Sequence, residues 1–315
     1  MSQRLSSISV DLDSLGHYCR IQGLSEGLLD ERARALVWTT AVPRFLELFS
    51  AVGTAATFFV IGGDLAEPGL GEALKTAAAS GVELANHSFS HDYALSRRSR
   101  VEIEADLRRA HEAIVNHTRV TPVGFRAPGY TLSPAMLQAV AALGYRYDSS
   151  TFPAAPYWLA KAMVMTALAA LGRPSRAILD SPNVLLAPVQ PYRPSLDAPY
   201  RRGDAPFVEL PMSVSPVGRV PFIGTFATSM PWPLVELTFR RLRHVRHFNF
   251  ELHAIDVLDE SDGVPAALVR QQRDVRVPAT TKLARLKRLF TWLGDDRERV
   301  TVAEAARRLD GRLDG

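Results

Sequence analysis

Ile8, Val10 and Leu12 alternate with Ser9, Asp11 and Asp13, a period of two that predicts a strand with both aspartates on one face. Residues 14–29 carry no such period and are expected to form a loop. A helical pattern then runs to about Val52. It is renewed at Pro43, which suits the first turn of a helix, and is stopped by Gly53. Residues 57–61, TFFVI, have the continuous apolar character of a strand buried on both faces. A helix over 70–79 leads to Gly81, and residues 82–85 form a second buried strand. Ser96 is placed to cap a helix to about His117, with Val101, Ile103, Leu107 and Ile114 inside and His111 and His117 on the surface. Short strands at 123–125 and 145–149 flank a helix from Ser133 to Leu143, stopped by Gly144. Strand and helix in alternation predict parallel strands joined by helical crossovers.

The Pro-rich segment 153–206 breaks that alternation. It opens with an apolar helix over 157–171, followed by Arg173 and Arg176. Two readings stand side by side: a packed excursion covering one end of a barrel, or an interfacial helix that approaches lipid. Alternation resumes with strands at 207–210 and 248–252, the latter ending in His253. Helices follow over 233–243, 278–293 and 302–309, the second with a basic face. With no internal repeat and no low-complexity linker, the chain reads as a single domain over 1–315 with an insertion at about 153–206.

Composition narrows the function. A hydrophobic fraction of 47% over 315 residues suffices for a large core. The formal charge of +4 is mild, and no basic stretch is interleaved with aromatics, which argues against nucleic acid. A single cysteine, Cys19, excludes an internal disulfide and a cysteine-rich metal site, and fits a reducing compartment. The N-terminus lacks the features of a signal peptide. No apolar run reaches bilayer-spanning length, the best, 157–171, being interrupted by Lys161. The expected location is the cytoplasm, with peripheral contact at the inner face of the membrane left open by the insertion.

Candidate chemistry gathers at strand ends. His87 and His91 lie four apart directly after the strand at 82–85, a spacing that one helical turn would bring to one face. Paired neutral imidazoles suit a borderline cation such as Zn²⁺. Asp11 and Asp13 repel one another unless a cation or an arginine neutralises them, so the pair is a metal or acid–base candidate.

The acidic pair, NHSFSH over 86–91, FRAPGY over 125–130 and LHAID over 252–256 together resemble the polysaccharide deacetylases of carbohydrate esterase family 4. The resemblance implies a distorted (β/α) barrel of about seven parallel strands. It implies one divalent metal, with Zn²⁺ the first expectation, on Asp13, His87 and His91, leaving room for water and a substrate carbonyl. Arg126 matches the arginine that pairs with the catalytic aspartate, and His253 the histidine that protonates the leaving amine. The turn of Pro128, Gly129 and Tyr130 matches the segment that contributes a backbone N–H to the oxyanion, and Asp148 joins it on the substrate side. Here the family's usual adjacent aspartates are separated by Leu12, the aromatic after the proline is displaced by one, and no tryptophan follows Asp148. Asp11 is the base by chemistry, with Asp148 as the alternative.

The implied activity is removal of an acetyl or formyl group from an amino sugar, lipid-linked or in a glycan. The acidic start and LHA ending look more like the cytoplasmic branch acting on lipid-linked amino sugars. Two competing readings share the fold: a metal-free cyclic-amide hydrolase, and a carbohydrate or lipid-carrier binding module without activity.

Overall fold

The computed structural model of the chain describes residues 4–170, 178–311 and 313. Strand β1 (Leu5–Asp11) is buried along its whole length, because its alternation serves two interiors at once. Ile8 and Val10 enter the main apolar core, whereas Ser9 and Asp11 reach Arg126 across the concave side of the sheet.

The expected loop after β1 is mostly ordered helix. In α1 (Leu15–Ile21), Leu15, Tyr18 and Cys19 supply a buried face that the sequence reading overlooked. Helix α2 (Glu31–Leu36) continues through a π-helical turn, Val37–Ala41, into α3 (Val42–Val52), which ends on Gly53 at φ 60°. This 22-residue run, Glu31–Val52, is long and apolar enough to cross a membrane, which corrects the expectation that no such stretch exists. Phe45, Phe49, Leu36 and Ala41 on it are buried in the main core.

The chain then proceeds through β2 (Thr57–Val60), α4 (Leu70–Ala79), β3 (Glu83–Asn86), α5 (Arg100–Thr118), β4 (Gly124–Phe125), α6 (Pro134–Ala142) and β5 (Tyr147–Asp148). Helix α5 is capped by Ser99, not Ser96, through a reciprocal capping box with Glu102. The shift leaves Val101 exposed, while Ile103, Leu107 and Ile114 are buried as expected. At Gly124 a Cβ would sit 2.0 Å from the Tyr147 ring on the neighbouring strand, so only glycine fits.

The segment between β5 and the next sheet strand contains α7 (Ala155–Ala170) and a hairpin of β6 (Pro194–Ser195) and β7 (Ala198–Arg202). Val184, Ala187, Tyr200 and Ala205 pack with Phe125, Leu137 and Val140 in a second core beside α5 and α6. Arg173 and Arg176 lie outside the described residues. The remaining elements are β8 (Val208–Glu209), α8 (Gly224–Ser229), α9 (Trp232–Arg241), β9 (His247–His253), α10 (Ala266–Gln271), α11 (Ala279–Asp296), β10 (Glu298–Arg299) and α12 (Val302–Asp310).

Seven strands run parallel in the order β9-β1-β2-β3-β4-β5-β8, curled into a half-barrel, with β10 pairing the start of β1. Register then fixes what meets at the carboxyl ends. Asp11 lies opposite Phe59 on one side and His253 on the other, and Phe125 lies between Asn86 and Asp148. The opposite end is closed by α12, whose Val302, Ala305 and Leu309 pack with Leu5, Phe59 and Tyr147. In parallel sheets of this kind, sites gather at the carboxyl ends of the strands.

Candidate active site

The His87–His91 pair is held by a turn, not by a helix. Ser88 and His91 both adopt left-handed backbone, at φ 66° and 47°. Such conformations are costly for residues with side chains and persist only where the surroundings enforce them. Asn86 Oδ1 accepts from the Ser88 N–H at 2.7 Å, Ser88 Oγ from the His91 N–H at 3.0 Å, and Asp106 Oδ1 from the Phe89 N–H at 2.8 Å. The NHSFSH motif therefore supplies its own scaffolding.

Both rings converge on Asp13. Asp13 Oδ1 is 3.2 Å from His91 Nε2 and 3.7 Å from His87 Nε2, and the two Nε2 atoms are 3.3 Å apart. His87 Nδ1 lies 2.8 Å from the Arg126 carbonyl oxygen. A carbonyl can only accept, so Nδ1 carries the hydrogen and the neutral ring turns its lone pair at Nε2 toward the cluster. Burial keeps His87 below its usual pKa, favouring that neutral form, with Asp11 working against it. Burial would raise the Asp13 carboxyl, yet His91, followed by His253 and His87, outweighs it and holds the group well below the usual carboxylate range. An ionised carboxylate and two inward-turned imidazole nitrogens, with ligand atoms all within 4.8 Å of one another, fit one divalent cation.

Asp11 stands beside the cluster and faces two ways. Its Oδ1 accepts from Arg126 Nη1 at 2.5 Å, and its Oδ2 lies 3.8 Å from His87 Nε2. Arg126 is fully buried, which its fixed charge permits only with a complete set of partners. It donates to Ser9 Oγ at 2.9 Å, Ser149 Oγ at 3.0 Å and the Ser149 carbonyl at 2.9 Å, and lies over the Phe59 ring. The barrel interior is thus a polar mount that fixes Arg126, and through it Asp11.

Across the cavity, His253 Nδ1 lies 2.9 Å from Glu251 Oε1, and its Nε2 lies 3.1 Å from the Tyr130 hydroxyl. Burial would lower the His253 pKa, but Glu251, helped by Asp13 and Asp11, raises it well above the ordinary histidine range. Glu251 was not among the residues singled out from the sequence. Its signal was present: on a strand, positions two apart share a face, so Glu251 and His253 in FELH point the same way.

The remaining expected site residues divide. Gly129 and Tyr130 line the cavity with Asp11, Asp13, His87, His91 and His253, whereas Pro128 and Asp148 do not. The Tyr130 N–H donates to the Ala127 carbonyl at 3.1 Å, so of the turn's amides only that of Gly129 stays available for an oxyanion. Gly129 sits at φ 61°, and a Cβ there would meet Tyr93 at 2.3 Å, so the Pro-Gly-Tyr turn admits only glycine at this point. Asp148 is corrected to a structural role. It is fully buried, accepts from Ser150 Oγ at 2.5 Å, and forms a carboxyl pair with Glu209. Burial, and then the Asp148 charge, raises Glu209 well above the ordinary carboxylate range. His17, inside the segment read as a loop, also belongs to the site's surroundings. Its Nε2 is 3.1 Å from Asp64 Oδ2, and its ring packs edge-on to His91 with centroids 4.4 Å apart.

Fold and site together define a parallel half-barrel with a buried carboxylate–imidazole cluster at the carboxyl ends of its strands. Residues 34–147 match the family model of polysaccharide deacetylases. A peptidoglycan deacetylase from Helicobacter pylori (strain ATCC 700392 / 26695) is 27% identical over 147 residues, which are 46% of this chain and 49% of that protein. The chain thus spans about half the length of the curated relative it matches. Two crystal structures share the fold. A candidate polysaccharide deacetylase from Mycobacterium smegmatis aligns with a TM-score of 0.65 at 17% identity, covering 99% of this chain and 92% of that one. One from Pseudomonas aeruginosa PAO1 aligns at 0.58 and 16% identity, covering 98% and 92%. Over residues 34–147, and in its fold, the chain is thus similar to the polysaccharide deacetylases.

Proposed function

We propose that the protein hydrolyses the N-acyl amide, acetyl or formyl, of an amino sugar carried on a lipid or in a glycan, with one divalent cation held by Asp13, His87 and His91. The observation that carries this reading is the convergence of Asp13 Oδ1 with the two Nε2 atoms, in the tautomer that the Arg126 carbonyl imposes on His87. Zn²⁺ suits a donor set of two imidazoles and one carboxylate. When bound, the cation supplies Lewis-acid polarisation of the amide carbonyl and lowers the pKa of water.

The protein's own groups account for the proton movements. Water adds to the acyl carbon as Asp11 takes its proton, the free Oδ2 facing the cluster while Arg126 holds Oδ1. The Gly129 N–H is the backbone donor available to the developing oxyanion. His253, kept protonated by Glu251, gives its Nε2 proton to the amide nitrogen as the C–N bond breaks, releasing a carboxylate and the free amine. A metal-free cyclic-amide reaction gives no reason for three unshared donor atoms to converge, and a binding module gives none for a protonated His253 facing Asp11.

His87→Ala and His91→Ala are expected to lose stoichiometric metal by elemental analysis, and with it acetate or formate release from N-acyl amino sugars. Full metal content in both variants would refute the ligand assignment.

A further inference from the structure

The cavity of about 580 Å³ above the cluster is larger than an acyl amide needs, and its outer half has a different chemistry. Helix α7 lines it with Tyr157, Ala160, Lys161, Val164 and Met165. That spacing is one face of a helix. Facing it are Ile223, Phe226 and Met230 from α8 and its flanks. Tyr157 is the deep end of the α7 stripe, close enough for the Glu251 charge to help burial in raising its pKa to about 12. Val164 lies seven residues on, roughly 10 Å along the helix axis, and is 58% exposed. Met163 beside it is 67% exposed, and Met230 on the opposite wall 44%. The stripe thus runs from hydroxyl through ammonium to apolar side chains at the mouth.

Lys161 is the only charged side chain among the cavity-lining residues outside the catalytic cluster. It is half-buried and has no hydrogen bond or ion pair among the described residues; its ammonium lies 5.8 Å from the centre of the Tyr157 ring. Asp180, the acid that acts on it, already accepts from the Tyr200 hydroxyl at 2.5 Å and from the Ser181 N–H. Burial lowers the ammonium to about 8, with the Asp180 charge only opposing it in part. A half-buried cation in an apolar wall with no hydrogen-bonded partner is completed by an anion.

We propose that Lys161 binds the phosphate of a substrate in which the N-acyl amino sugar is joined through that phosphate to an apolar chain lying between α7 and α8. The proposal rests on the deacylase reading for the sugar end alone. The order along α7 matches the order of the ligand: amide at the cluster, anion one turn out from Tyr157, hydrocarbon at the mouth. A neutral glycan would leave Lys161 unpaired and the exposed Val164, Met163 and Met230 without an apolar partner.

The test uses the metal-loaded full chain and four probes. These are N-acetylglucosamine, its 1-phosphate, its neutral decyl glycoside and its decyl phosphodiester. The phosphodiester is expected to show a KM about tenfold or more below the decyl glycoside. Lys161→Met collapses that ratio, and Lys161→Arg restores it. Equal KM values for the two decyl probes, or a ratio indifferent to Lys161→Met, would overturn the proposal while leaving the deacylase reading intact. A disaccharide bearing the carboxylate of N-acetylmuramic acid is the control for a glycan source, and its preference over the phosphodiester would overturn the lipid assignment. Calorimetric binding of the phosphodiester is measured alongside. Lys161-dependent binding without hydrolysis of any probe would refute the deacylase and retain the phosphate site.

Discussion

Asp11 and Asp13 are both deeply buried carboxylates at one strand end, yet their partners give them different tasks. Asp13 has no fixed cation of its own and faces only imidazoles, so it is free to ligate. Asp11 has one oxygen committed to Arg126 and one left over, which suits a base that must be aimed but not neutralised. Asp11→Asn keeps an oxygen acceptor for Arg126 and removes the basicity; His253→Ala removes the proposed acid and leaves Asp13, His87 and His91, the proposed ligands, in place. Each is expected to cut turnover by about 10²-fold or more, the usual contribution of a positioned proton donor or acceptor. Metal content, measured on the same samples, should stay near wild type. Near-normal turnover with metal bound would remove the assigned role, and Asp148, sealed beneath Ser150 and Glu209, is not placed to inherit that of Asp11.

The elements show where sequence is informative and where it is not. Strands read well because their side chains serve two buried faces at fixed period; β2, β3 and β9 fall within a residue of the apolar runs that predicted them, and β1 within three of its alternation. The stops at Gly53, Gly81 and Gly144 read well because each carries positive φ. Helix α1 was hidden because seven residues hold too few turns to show a period. In α5 two serines compete, and the deciding mark is Glu102, which pairs with Ser99 and has no counterpart three residues beyond Ser96. The cap sets the helix phase, and the phase predicts stability. Ser99→Ala is expected to cost about 1 kcal/mol, and Ile103→Ala about 2–5 kcal/mol for a buried cavity. Val101→Ala, exposed on the structure, should lie within about 0.5 kcal/mol. Denaturant melts of the three variants check this; a large loss at Val101 would return the helix to the Ser96 register.

At the scale of the molecule, the residues of the carboxylate–imidazole cluster could be picked out from the sequence because motif and strand end coincide. The polar interior that holds them could not. Ser9, Ser149 and Asn249 look like ordinary polar residues until the half-barrel closes them around Arg126. The same holds for the apolar half of the cavity, assembled from α7 and α8, whose lining residues lie about sixty apart in the chain. One global consequence follows from packing Asp11, Asp13, His87 and His91 at a single end. Without a cation these groups leave Asp13 Oδ1 buried with no hydrogen-bond partner, a cost of about 1–3 kcal/mol. A cation that binds the folded chain alone stabilises it by RT ln(1 + [M]/Kd), about 4 kcal/mol at a thousandfold excess over Kd. For a chain of this size that corresponds to roughly 2 °C in melting temperature per kcal/mol. Removal of metal by a chelator, at constant protein concentration, is therefore expected to lower the melting temperature by several degrees. Zn²⁺ should restore it, and His87→Ala should melt at the same temperature with and without chelator. An unchanged melt of the wild type on complete metal removal, verified by elemental analysis, would show that the cluster holds no cation with useful affinity.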